Sequence, residues 1–171
     1  MGAAVKLVEH DPAWPAQAAA LIAALTAPFA GSAAQLEPIG STAVPGLCAK
    51  PVLDLLLGVP RLADIEARIP ALQALGWRYR PEHEAVIPAR RYFVREPVAG
   101  WPRAHLHGVV FEGTLWRQHL GFRDALRASP ALRDAYAALK QRLAAEHALD
   151  KAAYQDAKAP FIRQVLAVST G

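Results

Sequence analysis

Cysteine is nearly absent from this chain of 171 residues, which contains only Cys48. One cysteine cannot form an internal disulfide, and no Cys/His cluster has the spacing of a zinc site. A secreted fold held together by disulfides is therefore excluded, and a reducing cytoplasm is the expected compartment. We interpret Cys48 as a small loop residue, because no motif around it would make it a nucleophile.

Long apolar runs and signal-peptide features are missing as well. No uninterrupted apolar segment approaches the roughly 18 residues of a membrane-spanning helix. The N-terminus lacks the basic and apolar regions of a signal peptide. We therefore expect a cytoplasmic protein with no membrane partner. The composition, 53% hydrophobic and 20% charged, is typical of a globular chain and not of a disordered one.

A block of like charge is also absent. The net charge is +4, and the Lys and Arg residues of the C-terminal part are scattered among helical apolar positions. This pattern favours a solvated helical face over nucleic-acid binding, so nucleic acid is not an expected partner. Nothing in the sequence indicates an oligomeric state.

The apolar periodicity divides the chain near residue 113. Before this point, period-two and apolar runs predict six strands: VKLVEH, QLEPIG, PVLDLLLGV, WRYR, RRYFVRE and AHLHGVVF. Helices are predicted from Asp11 to about Ala27 and across RLADIEARIPALQALG, with Pro70 as a kink and Gly76 as the end. After Gly113 the stripes are helical, and Pro130 begins a new helix.

The predicted fold class is therefore α+β. We expect a single domain over residues 1–171, with a mixed sheet and helices in 1–113 and a helical segment, 114–171, packed on that core.

The segment GSTAVPGLCAKPVLDLLLGV, residues 40–59, contains the main candidate site. A phosphate-binding P-loop is excluded, because Pro45 stands where the motif requires Gly. A turn at Gly40 and Ser41 can still bring backbone N–H groups and a hydroxyl close to a phosphate. Asp54 on the next strand could hold a divalent cation there, and Lys50 could add a positive charge.

The same segment has a purely structural interpretation. Gly40 can serve as a turn residue and Ser41 as a local cap. Asp54 fits this interpretation poorly, because a carboxylate buried in an apolar strand without a partner is costly.

These residues resemble the GrpB family, bacterial proteins with a nucleotidyltransferase-like fold. The resemblance covers essentially the whole chain, through IGSTAVPGLCAKPVLDLLLGV, RRYFVRE, RAHLHGVV, WRQHLGFRDALRASP and YQDAKAPFI. Related sequences are fused to dephospho-CoA kinase in some bacteria. The resemblance implies that Gly40 and Ser41 form the nucleotidyltransferase turn and that Asp54 is the first acid of its Asp-x-Asp/Glu pair. The second position is Leu56, which removes the carboxylate that would bridge two cations.

Two histidines could supply the missing ligands. His105 and His107 stand two apart on a predicted strand, so they share a face. With Asp54 they could form a His/carboxylate site for Zn or Mn, while Mg would rest on the carboxylate. Alternatively, one histidine forms a hydrogen bond in the sheet and the other packs beside it. If the site is active, Asp54, Ser41 and His107 are the candidate catalytic residues.

Further candidates could bind a phosphate or carboxylate. Strand alternation puts Arg91 on one face and Arg90 on the other, and either Arg91 or Arg103 could meet Asp54. The alternative is that these arginines are solvated edge charges. Tyr154 and Lys158 are spaced i, i+4 and match a family motif, so they could lean over the cleft. Their alternative is ordinary packing with a lysine that reaches solvent. Tyr136 and Lys140 repeat this spacing and are interpreted as packing.

Two functions stay open at this point. One is a nucleotidyltransferase-like enzyme that binds a nucleotide or another anionic metabolite, with a divalent metal. The other is a non-catalytic module that binds a ligand or assists another protein on the same fold.

Overall fold

A computed structural model describes residues 4–169, so both ends of the predicted domain 1–171 lie outside the described part. The strands within this part form one mixed sheet. They are β1 (Gln35–Ile39), β2 (Val52–Val59), β3 (Arg78–Tyr79), β4 (Arg91–Arg95) and β5 (Arg103–Val110). Their spatial order is β1-β2-β5-β4-β3, with β2 and β5 parallel and all other neighbours antiparallel.

Helices precede, interrupt and follow the sheet. They are α1 (Trp14–Leu25), α2 (Leu62–Glu66), α3 (Ile69–Ala74), α4 (Thr114–Ala128), α5 (Pro130–Glu146) and α6 (Lys151–Ser169). The α+β class with a mixed sheet and a C-terminal helical segment is confirmed. None of the described helices is both long and apolar enough to cross a bilayer.

Prolines set several helix boundaries, as the sequence predicts. The carboxylate of Asp11 accepts a hydrogen bond from the Ala13 N–H at 2.8 Å, but the helix begins only at Trp14, after a turn. Pro70 lies in the first turn of α3, where its missing N–H costs nothing, so the expected kink is a break between two helices. Pro130 opens α5, and the Ser129 hydroxyl caps it by accepting the Leu132 N–H at 3.2 Å.

The strand expected at VKLVEH is wrong. Val8 forms only an isolated bridge to Ala49, with two backbone hydrogen bonds of 2.9 and 3.0 Å. Ala49 belongs to the loop before β2, and no ladder continues on either side of the bridge. A favourable local pattern therefore found no second strand to pair with.

β2 is covered on both faces. Leu53, Leu55 and Leu57 are at most 1% exposed and pack in the main core with residues of α1, α2 and α3. Leu56 points to the other face and packs with Ile39 and Trp116 in a smaller core. Burying each leucine contributes on the order of 2 kcal/mol, so this strand is a rigid support. Asp54 is the one charged residue within it.

Candidate functional site

The centre of the site is Asp54 with two histidines from the neighbouring strand. The parallel register pairs Asp54 with His105 and Leu56 with His107, so all four side chains share one face. Asp54 Oδ1 lies 3.0 Å from His107 Nε2 and 3.4 Å from His105 Nδ1. The three polar side chains are half-buried, with exposures of 27% for Asp54, 24% for His105 and 12% for His107.

Asp54 is ionised despite its position. Burial acts to raise its pKa, but the hydrogen bonds from His105 and His107 outweigh burial and hold the pKa well below the usual range. Burial lowers the pKa of His107, and it lowers the pKa of His119, whose ring lies 5.5 Å from the His107 ring, to about 4. The site thus combines a carboxylate with a His107 imidazole that burial keeps neutral, which is the protonation state that a metal ligand requires.

Gly40 allows the Gly-Ser turn to approach the carboxylate. Its φ of +73° lies in the left-handed region, and a Cβ at this position would come within 2.8 Å of Asp54 Oδ2. The antiparallel pairing of Ile39 with Asp54 brings the turn to this point. Glycine is therefore required both by the backbone and by the space beside Asp54.

Ser41 is held by a lysine from α5. Lys140 Nζ donates hydrogen bonds to Ser41 Oγ at 2.8 Å and to the Cys48 carbonyl, and the ammonium lies 5.0 Å from the centre of the Tyr136 ring. Lys140 is only 2% exposed, and burial lowers its pKa to about 8. The interpretation of Tyr136 and Lys140 as ordinary packing missed this contact. The signal was a lysine on an otherwise apolar helical stripe.

Tyr154 is placed between two further lysines. Its ring centre lies 4.7 Å from Lys50 Nζ and 4.6 Å from Lys158 Nζ. Burial lowers the pKa of both lysines, that of Lys158 to about 8. The i, i+4 pair of α6 therefore does lie over the cleft, together with Lys50.

The structure corrects the placement of the predicted arginines. Arg91 lies on the opposite face of the sheet, where it pairs with Glu66 at 2.8 Å, because Tyr92 is the residue that shares the face of His107. Arg103 is on the face of His105, but its guanidinium pairs with Glu96 at 2.5 Å and does not line the cleft.

Arg90 takes the position expected for Arg91. Its Nη1 lies 3.4 Å from His107 Nδ1, and its guanidinium lies over the Tyr92 ring at 4.6 Å. Arg90 Nε is buried and has no hydrogen-bond partner among the described residues. Alternation placed Arg90 on the face opposite Arg91, but it did not show which of the two faces meets Asp54, because that depends on the pairing of Tyr92 with His107.

These groups surround a cleft of about 530 Å³, a size that suits a small-molecule ligand. Gly40, Ser41, Lys50, Tyr154 and Lys158 line it, as do the Asp54 cluster and Arg90. Sequence reasoning missed several lining residues, which come from distant segments: His83, Arg90, Tyr92, His119 and Lys140.

Asp54, His105 and His107 can offer one ligand atom each, and these atoms lie within 4.8 Å of one another. With bonds of about 2.1 Å, neighbouring ligands of one ion lie about 3.0 to 3.4 Å apart. The two distances from Asp54 Oδ1, 3.0 and 3.4 Å, match this spacing. These three side chains could therefore hold a single ion such as Zn or Mn.

Comparison with known proteins gives the family context. The family model described as "GrpB protein" matches residues 4–167. A UPF0157 protein of Halalkalibacterium halodurans is 34% identical over 96% of this chain and 82% of its own length. The crystal structure of the conserved protein GrpB from Enterococcus faecalis is 31% identical, with a TM-score of 0.84 and 96% of each chain covered.

Two further likenesses are more distant. A dephospho-CoA kinase of Mycolicibacterium paratuberculosis is 30% identical over 94% of this chain, which spans only 45% of that protein. The Cid1 poly(U) polymerase is 13% identical over 78% of this chain and 45% of its own, with a TM-score of 0.43.

Proposed function

The chain belongs to the GrpB family, and we propose that its cleft binds a phosphate-bearing small molecule, with a nucleotide as the first candidate, for group transfer. The observation that carries this proposal is the charge of the cleft. Four cationic side chains line it: Lys50, Arg90, Lys140 and Lys158. Asp54 is the one acid among the described lining residues. Such an excess favours a ligand with more than one negative charge.

Each cation has a distinct task in this proposal. Lys140 donates to Ser41 Oγ and fixes it, so that the Ser41 O–H can donate to a phosphate oxygen without moving. Lys50 and Lys158 flank Tyr154 and supply point charges. Arg90 has an unpartnered Nε and can form paired hydrogen bonds to a phosphate or carboxylate. The ligand would replace water around groups that burial has already partly desolvated.

A divalent metal is proposed as the cofactor, held by Asp54, His105 and His107. When bound, it would supply Lewis acidity at a phosphoryl oxygen. Imidazole with one carboxylate suits Zn or Mn better than Mg. His107 has two roles that exclude each other. Its Nε2 either binds the metal or, hydrogen-bonded to Asp54, moves a proton in the metal-free site.

A second candidate function is supported by Leu56. This residue is fully buried with Ile39, Val109 and Trp116, so the second acid of a two-metal site is replaced by core packing. The cleft would then bind its ligand without chemistry, as a sensor or as a module that assists another protein. The fusion of GrpB-like sequence to a kinase is compatible with such a role.

Calorimetry with Zn²⁺, Mn²⁺ and Mg²⁺, each with and without ATP, tests the proposal. We expect Zn²⁺ or Mn²⁺ to bind, and ATP to bind more tightly in its presence. Asp54→Asn should abolish metal binding, while the exposed control Asp134→Asn should not change it. Equal metal affinity in Asp54→Asn would contradict the site. Release of pyrophosphate or phosphate from bound ATP separates the enzyme from the binding module, for which ATP binds and stays intact.

A further inference from the structure

A second pocket of about 370 Å³ lies behind the Gly-Ser turn. It is formed by the start of α1, the end of β1, the loop after Ser41 and the junction between α4 and α5. Thr42 and Asp54 contribute to the walls of both the cleft and this second pocket. The second pocket shares none of the four lysine and arginine residues of the cleft. It therefore adjoins the cleft at Thr42 and Asp54 but has different cationic residues in its walls.

The walls of the second pocket are mainly apolar. Six small or aliphatic residues form them: Pro15, Ala18, Pro38, Ala43, Pro45 and Leu126. Proline and alanine lose little side-chain entropy when a ligand covers them. An apolar group of moderate size can thus be buried here at little conformational cost.

Two guanidinium groups and an imidazole add a polar side to this pocket. Arg127 Nε donates to the Ala43 carbonyl at 2.8 Å, which holds the guanidinium at the wall. None of the described carboxylates lies within 4.0 Å of Arg127. Arg133 Nη1 lies 3.2 Å from the position that a Cβ of Gly46 would occupy, so the absence of a side chain at Gly46 leaves room for this guanidinium.

The charges on this side are only partly neutralised, since Asp124 and Glu37 act on Arg127 without forming an ion pair with it. Arg133 pairs only with its neighbour Asp134, which is 68% exposed and therefore screened by water. His10 also lines the pocket, and its Nδ1 is enclosed without a hydrogen-bond partner among the described residues. A compact apolar pocket with two available guanidinium groups is the arrangement that recognises an acid with an apolar body.

We propose that the second pocket binds a small organic acid, with its carboxylate between Arg127 and Arg133 and its apolar body against the proline and alanine walls. Arg127 also holds the carbonyl of Ala43, which is the residue after Thr42 and the second after Ser41. The bound acid would therefore lie next to the Gly-Ser turn. The second pocket is thus placed to receive a second ligand or an effector next to the cleft. The inference does not depend on a metal or a nucleotide.

Octanoate is a suitable probe, and octanamide is its uncharged counterpart. Methyl NMR spectra of the metal-free protein should show octanoate shifting the methyl signals of Ala18, Ala43 and Leu126. The signals of Val52 and Ile162, which line the cleft, should stay in place. Octanamide should bind about tenfold more weakly, because it offers no charge to the guanidinium groups.

Variants test the two halves of the proposal separately. The double variant Arg127→Gln, Arg133→Gln should weaken octanoate binding about tenfold or more and leave octanamide binding unchanged. Arg142→Gln is a matched control, because this arginine is on α5, exposed and distant from the pocket lining. Ala43→Leu, at a half-buried wall position, should block both probes.

Thermal denaturation of every variant checks that it is folded. Octanoate shifts confined to the cleft, equal affinity for octanamide, or unchanged affinity in the double arginine variant would each overturn the proposal. Because no metal or nucleotide is present, these outcomes are independent of the success or failure of the proposed function of the cleft.

Discussion

Replacing Lys140 by methionine should change how the stability of the protein depends on pH. Lys140 is 2% exposed, and no described carboxylate pairs with its ammonium. Two hydrogen bonds and the Tyr136 ring offset part of the cost of burying this ammonium. A charge buried in this way destabilises the fold, and such a cost is expected where a residue serves a binding site, as we propose for the cleft.

The magnitude follows from the pKa of Lys140, which burial lowers from 10.5 to about 8. The unfolded chain therefore binds more protons than the folded protein between about pH 8 and 10.5, so the free energy of unfolding rises with pH in this window. With about 1.4 kcal/mol per pKa unit, the total cost below pH 8 is about 3 kcal/mol. Between pH 7 and 9.5, about 2 kcal/mol of this cost is relieved.

Urea unfolding at pH 7 and pH 9.5 measures the effect. Lys158 titrates in the same range, so the useful quantity is the difference between Lys140→Met and wild type at each pH. The free energy of unfolding of Lys140→Met minus that of wild type should be about 2 kcal/mol smaller at pH 9.5 than at pH 7. Lost hydrogen bonds to Ser41 and Cys48 shift both values equally and cancel.

Lys6→Met, at an exposed position, is the control variant and is measured at the same two pH values. A Lys140→Met variant whose stability difference from wild type does not change between pH 7 and 9.5 would refute the reasoning. It would mean that Lys140 keeps an ordinary affinity for its proton despite its burial.

Two further predictions concern the turn and the arginine beside the histidines. Gly40→Ala should lower the free energy of unfolding by about 1 to 3 kcal/mol more than Gly100→Ala, which has a similar φ of +79° but no atom within 4 Å of its Cβ position. Equal losses in urea unfolding would show that Asp54 Oδ2 moves freely. Arg90→Gln should raise Zn²⁺ affinity about tenfold and weaken ATP binding, since the guanidinium 3.4 Å from His107 Nδ1 favours the proton on Nε2. Calorimetry that finds weaker Zn²⁺ binding would contradict this tautomer argument.

The sequence predicted the parts of the site that lie on regular strands. Alternation along β5 assigned His105 and His107 to one face, and the apolar run of β2 made Asp54 conspicuous. Both inferences need only the period of a strand. The parallel pairing of β2 with β5 brings Asp54 and the two histidines together. This pairing joins distant segments of the chain, and no local pattern encodes it.

The failures have equally specific causes. Alternation put Arg90 and Arg91 on opposite faces, but the face that meets Asp54 is set by the register of β4 against β5, in which Tyr92 pairs with His107. That register is a long-range pairing, which no local pattern shows. Lys140 reaches Ser41 across 99 residues, through the packing of α5 against the loop before β2. Helical periodicity identifies the buried stripe of α5, but it does not say which residue the stripe covers.

Leu56 and His107 together bear on how many metal ions the cleft would hold. They are paired across the two parallel strands, so His107 stands beside the position that lacks an acid. Both histidines approach the same oxygen, Asp54 Oδ1, while Oδ2 faces the position of a Gly40 Cβ. A carboxylate usually bridges two ions with one oxygen on each, and here Oδ2 is enclosed by the turn. The geometry thus supports the proposal of one ion, with the lysines and Arg90 balancing the remaining phosphate charge.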